Sequence, residues 1–246
     1  MHTSWSFLVL YHRCRFDDGL AYAYQAVDLA QISQHRDLYV FAIILLGTPL
    51  GLSGQPEERL KWHVQATKYT KEIVQPLQSF LFSALAYSYA LNDMGAEALE
   101  SISKARYLFT DDFEGLPHFV AAICGFFELI LCEGVTRLEL AERDKENRQT
   151  HSEAAGKALA QSETSPATLF IPQRSKLEIL NRQAMAAVWE GNMDDFLRYF
   201  QAGVEGAKAL GSEKRWKELV MAWRAARAKW PHEDQIAKSS ILLVER

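Results

Sequence analysis

Apolar residues return every three or four positions along almost the whole chain, the spacing of one face of an α-helix, and few stretches show strand-like alternation. The pattern predicts helix nearly throughout. Polar punctuation interrupts it at "CRFDDG" (14–19), "LSGQPEER" (52–59), "LNDMGAEA" (91–98) and "WEGNMDDF" (189–196). Each places Gly, Asn, Asp or Pro beside an acidic first turn. That chemistry suits a helix start, where free amide hydrogens and the positive dipole end favour capping oxygens and carboxylates. Two stretches, "YVFAIILLGTPLGL" and "FVAAICGFFELILC", are apolar on all sides and predict helices buried on most faces. Both are shorter than the roughly 20 apolar residues a membrane span needs.

Small residues recur with the turns. Ala26, Ala66, Ala105 and Gly203 each follow a turn, and Gly47, Ala86, Gly134 and Ala184 lie in the helix before one. Ala26, Ala66 and Ala105 are spaced roughly forty residues apart, a period that signals a repeated helix-turn-helix unit. Small side chains at fixed depth let paired helices approach closely.

The segment "SFLFSALAYSYALNDMGAEALESISKARYLF" resembles a tetratricopeptide repeat. Ala86, Ala98 and Ala105 occupy that motif's small positions and Tyr89 its aromatic position. The other units depart from the motif: Phe7, Arg59 and Phe196 stand where the first, second and fifth would carry a small residue. The final third is similar to the C-terminal repeat halves of bacterial regulators that carry a helix-turn-helix DNA-binding domain ahead of the repeats. This sequence opens inside its first repeat without such a domain, which reads as a free-standing repeat protein, a separated sensor half or a fragment. The resemblance implies an all-α, right-handed tetratricopeptide-like α-solenoid. About five helical pairs are expected in a single domain over 1–246, at about 1–34, 37–74, 76–110, 117–163 and 173–210, with a C-terminal cap at 212–244.

Composition adds little against this picture. The 246 residues are 48% hydrophobic and 24% charged, with a net charge of −4 that gives no global attraction to nucleic acid or anionic membrane. Three cysteines, Cys14, Cys124 and Cys132, cannot all pair and lack zinc-finger spacing, which favours a reducing, cytoplasmic setting. His12, His35, His63, His118, His151 and His232 have no His or Cys at i+3 or i+4, so no helical metal pair is expected. Asp17–Asp18, Asp111–Asp112 and Asp194–Asp195 are adjacent pairs that point about 100° apart on a helix and do not flank one bond. No phosphate-cradling loop, nucleophile elbow or dinucleotide fingerprint appears, so the chain reads as non-catalytic, with no cofactor. The mixed-charge run "ELAERDKENRQTHSE" (139–153) reads as a solvated helix extension and loop, or as an insertion reaching a partner.

In a repeat array the first helix of each unit lines the concave side. Helical spacing places Phe41, Ile44 and Thr48, then Phe80, Ser83 and Tyr87, then Glu178, Asn181 and Met185 there, with Tyr11 and Glu128 in comparable places. Clamps for peptide C-termini use Lys, Arg and Asn; these slots are mostly aromatic, aliphatic or acidic. The expected partner is therefore a protein or peptide segment of apolar or basic character. Trp216, Trp223 and Trp230 recur every seven residues and drift only about 20° per step. With Leu219 and Ala226 they predict the apolar stripe of a helix that plugs the array. Lys214, Arg215, Lys217, Arg224, Arg227 and Lys229 are expected on its solvated face. Two other functions compete: a small-molecule binder or enzyme using the aromatic groove, and nucleic-acid binding through that basic helix.

Overall fold

A computed structural model describes residues 16–114, 116, 118–163 and 173–244. The described residues are helical with no strand: α1 (Phe16–Ile32), α2 (Arg36–Leu52), α3 (Pro56–Ala66), a 3-10 segment (Thr67–Glu72), α4 (Gln75–Leu91), α5 (Gly95–Leu108), α6 (His118–Ile123), α7 (Phe126–Arg143), α8 (Arg148–Ala160), α9 (Gln173–Glu190), α10 (Met193–Leu210), α11 (Glu213–Lys229), α12 (Asp234–Ser239) and α13 (Ile241–Val244). Successive helices pack side by side from α1 to α5 in the first unit and from α8 to α11 in the second. The chain divides into two compact units, residues 1–136 and 137–246, with the boundary inside α7.

Turn chemistry places the helix starts where the polar punctuation predicts them. Pro56 opens α3 with Glu57 and Glu58 in its first turn. The Asn192 side chain caps α10 by accepting from the Asp195 amide, with Asp194 and Asp195 in the first turn. Gly211, at φ 61°, ends α10 in the left-handed region that a side chain would disfavour. Ser212 then caps α11. The run 139–153 is the end of α7, a short turn and the start of α8. Arg148 donates from Nε to the Ala141 carbonyl across that turn, a cation closing a helix C-terminus.

In the first unit α2 packs against α1, α3 and α4, which explains a sequence apolar all round. Its residues Val40, Ile43, Leu46 and Leu50 are inaccessible and join Leu77 and Leu81 of α4 in the core. In the second unit α9 contacts α8, α10 and α11. Phe196, Phe200, Leu219, Ala222 and Ala226 fill the centre of that core. The predicted small positions Ala26, Ala66, Ala86, Ala105 and Ala184 are all buried, as are Gly47, Gly134 and Gly203. At Gly203 a Cβ would lie 2.8 Å from Leu219 Cδ2 and 2.7 Å from Asn181 Oδ1, so a larger residue would push those side chains aside at the crossing.

The tryptophan stripe is half-buried against this core, while Leu219, Ala222 and Ala226 form the inaccessible seam of α11. Trp223 donates from Nε1 to the Ile236 carbonyl of α12 at 3.1 Å, and Trp230 lies 6.0 Å from Phe196, centroid to centroid. Arg215 departs from the expected solvated face. It is only 1% exposed, because two carboxylates and a backbone contact hold it between α9 and α11.

Candidate functional site

Two polar clusters sit between packed helices, one in each unit. In the first unit, Gly47 and Gly51 are four apart on α2 and form a groove on one face. Arg59 and His63, also four apart, project into it from α3. A Cβ at Gly47 would lie 2.3 Å from His63 Nε2, and one at Gly51 would lie 2.8 Å from an Arg59 terminal nitrogen. Arg59 stands at the position where a small residue was expected, and the glycines across from it supply the missing space.

Ser88 of α4 completes the cluster. Its Oγ donates to the Ala84 carbonyl and accepts from Arg59 Nε at 3.0 Å. His63 Nδ1 is 2.8 Å from the same oxygen; with the hydroxyl proton directed to Ala84, Nδ1 carries a hydrogen and donates. That leaves Nε2 as the bare nitrogen, buried without a hydrogen-bond partner. Burial, and then the Arg59 charge, depress the imidazole pKa to about 3. His63 is therefore neutral and 0% exposed. The Arg59 guanidinium also stacks 4.6 Å over the Tyr87 ring.

The second cluster joins α9 to α11. Arg215 pairs with Glu178 through one terminal nitrogen and grips both oxygens of Glu218, at 2.7 and 2.8 Å, with the other. Asn181 donates to the Arg215 carbonyl and to Glu218, both at 3.0 Å, and Arg182 approaches Glu218 at 3.9 Å. Burial opposes charge on Glu178, but Arg215, Lys214 and Arg182 outweigh it and hold its carboxyl well below the usual range, at about 2. Burial would lower Arg215 too; Glu178 and Glu218 raise it instead. Lys214 falls to about 8, mainly through desolvation.

The candidate groove residues separate between these settings. Tyr11 lies outside the described residues. Phe41, Ile44 and Phe80 belong together to the first core, 4 to 7% exposed, and buried Ser83 donates to the Ser79 carbonyl of its own helix. Thr48 is partly exposed beside them. Tyr87 packs under Arg59. Glu128 is half-buried on α7, where it accepts from the Cys132 thiol at 3.8 Å, apart from the others. Glu178 and Asn181 share the Arg215 network, and half-buried Met185 lies one turn beyond it on α9.

Arg59, His63, Ser88, Arg215 and Glu218 were not among the candidates. Paired i, i+4 glycines opposite an i, i+4 Arg/His pair are the signal that could have found the first cluster. For the second, the i, i+3 pair of Arg215 and Glu218 on α11 is a local signal, while Glu178 and Asn181 on α9 are far away in sequence.

Among the described residues no helix is long and apolar enough to cross a membrane, and no group of His, Cys, Asp and Glu is arranged to hold a metal ion. Burial pushes the Cys124 thiol up to about 12, which makes it an inert core side chain. Compared with known proteins, the chain matches no protein-family model, and no curated protein aligns with it significantly.

Proposed function

We propose that this chain is a non-catalytic helical-repeat scaffold that holds a segment of another protein on its helix surfaces, in the cytoplasm. One observation carries the reading. Two of the strongly perturbed side chains, His63 and Arg215, are consumed as clamps between helices and are inaccessible to a substrate. Perturbed groups mark either reacting centres or structural networks, and closure on all sides favours the second. Stacked helical pairs joined by such clamps make a stiff support whose reachable features are the outward stripes of its helices. A role as the sensor half of a bacterial transcriptional regulator is the form of this proposal that the C-terminal sequence resemblance suggests.

The test is binding by the folded full chain to an immobilised panel of apolar, basic and acidic peptides, run beside a His63→Gln variant. The proposal expects saturable capture of one peptide class by both proteins. Absence of capture from every class would refute it. So would a turnover activity that disappears with His63.

A further inference from the structure

Acidic side chains in the groove slots favour an apolar or basic partner. Glu178 is one of them, and in the folded chain Arg215 holds it. The charge of the surface beyond it is different.

Contacts between Glu178 and Arg215 and between Asn181 and the Arg215 carbonyl and Glu218 fix α9 and α11 side by side and parallel. Continued by one turn, that register brings Met185 of α9 level with Met221 of α11. Glu178, Arg182, Met185 and Trp189 form one stripe at intervals of four, three and four, and Lys214, Glu218, Met221 and Ala225 form a second at the same intervals. Each stripe begins in the ion network and turns apolar past it. Met221 is 62% exposed, while Met185 and Trp189 are half-buried against the core beneath.

The rim is basic. From Ile179 to Trp189, α9 carries Arg182 and no carboxylate; from Leu219 to Lys229, α11 carries Arg224, Arg227 and Lys229 and no carboxylate. Arg224, three residues after Met221, is exposed. At the far end Lys229 donates to the Trp189 carbonyl at 3.0 Å, and the Arg148 guanidinium lies 5.9 Å from the Trp189 ring. Glu190, the next acid along α9, sits against Gly156 of α8.

We infer that the methionine-centred face of α9 and α11 docks an acidic amphipathic segment of a partner protein, its apolar side on Met185, Met221 and Trp189 and its carboxylates toward Arg182, Arg224 and Lys229. Methionine suits such a surface, since its unbranched, polarisable side chain adapts to varied apolar shapes. Carboxylates complement the rim and speed encounter. The inference rests on the scaffold reading and narrows it to one face and one charge class.

Fluorescence anisotropy of the full chain tests it with three labelled probes: a helical peptide with leucines on one face and glutamates on the other, the same peptide with lysines for glutamates, and single-stranded DNA. The glutamate peptide is expected to bind and to weaken as salt rises. Met221→Asn and Arg224→Glu, both at exposed positions, should each weaken it roughly tenfold or more, the scale of an apolar anchor or a matched charge. Lys238→Glu, exposed on α12, should leave it unchanged. Preference for the lysine peptide, unaffected by Met221→Asn, would overturn this face and charge class but leave the scaffold reading standing. Binding of neither peptide would count against both. DNA binding that is lost in Arg224→Glu while the glutamate peptide fails would assign the face to nucleic acid.

Discussion

Removing Arg215 should unsettle the second unit far more than removing any of its exposed cations. Arg215→Met keeps most of the side-chain volume but leaves Glu178 and Glu218 facing each other across α9 and α11, with side chains only 18% and 14% exposed. Breaking a buried pair by deleting one partner costs about 3–5 kcal/mol, because the surviving charge is uncompensated. Arg182 remains 3.9 Å from Glu218 and the carboxylates retain some solvent, so about 3 kcal/mol is expected here. For a unit of this size that corresponds to a fall in Tm on the order of 10 °C. Tryptophan fluorescence during thermal and urea unfolding is the assay, since Trp189, Trp216, Trp223 and Trp230 all lie in this unit. pH supplies a second test. In the native chain Glu178 has a folded pKa near 2, below its unfolded value of 4.5, so its contribution is present above pH 4.5 and is lost as pH falls toward 2. Without Arg215 the largest depressing charge is gone, so the carboxyl rises against the remaining pull of Lys214 and Arg182. The deficit of Arg215→Met should therefore shrink as pH is lowered from 7 toward 4.5. Combining it with Glu178→Gln and Glu218→Gln should recover most of the loss, because no charge is then stranded. A deficit under about 1 kcal/mol, or one that does not change with pH, would refute the network's structural role.

His63 should give the first unit a distinct acid sensitivity: its folded pKa near 3 lies below the unfolded 6.5, so stability is complete above 6.5 and falls by up to about 1.4 kcal/mol per pH unit toward 3. Urea midpoints between pH 7.5 and 5 measure that slope, and His63→Gln should flatten it. Gly47→Ala forces a Cβ to within 2.3 Å of His63 Nε2 and should cost about 1–3 kcal/mol by overpacking, read as a lower unfolding midpoint. Ala105→Leu, at a position 1% exposed whose carbonyl accepts from Ser79 Oγ, should cost a similar amount, about 1–3 kcal/mol, in thermal unfolding. Trp223→Phe keeps the aromatic packing and removes the hydrogen bond to Ile236, for about 1 kcal/mol, whereas Trp223→Ala should cost about 2–4 kcal/mol because the ring is half-buried.

What the sequence disclosed was local. Helix starts at Pro56, Gly95 and Met193 follow from turn chemistry within a few residues of each site, and the small positions at Ala66, Ala105 and Gly203 follow from spacing. The helical architecture was therefore legible. The groove was less so, because a concave face assumes that the first helix of each unit has a free side. Phe41 and Ile44 instead sit on a helix flanked by α1, α3 and α4, and contribute to the core. Arg215 leaves its expected solvated face for a related reason. Periodicity assigns a cation to the solvated side unless its compensating partners are known. For Arg215 those are Glu218, three residues along its own helix, and Glu178, which meets it only in the folded chain. Partners that meet only after the chain has folded leave no mark on a helical wheel. Met185 is half-buried on α9, and the exposure of Met221 on α11 follows from its place opposite the inaccessible seam of Leu219, Ala222 and Ala226.

In the proposed function, binding resides on the accessible face of α9 and α11, while the buried polar clusters only hold the helices. Methyl NMR of the full chain with labelled methionines, titrated with the glutamate-leucine peptide, tests that claim directly, because its five methionines are spread along the sequence at 1, 94, 185, 193 and 221. Saturable shifts are expected at Met185 and Met221, with Met94 in the first unit unmoved. Shifts at Met94 without any at Met185 and Met221, or no shift at any methionine, would contradict it.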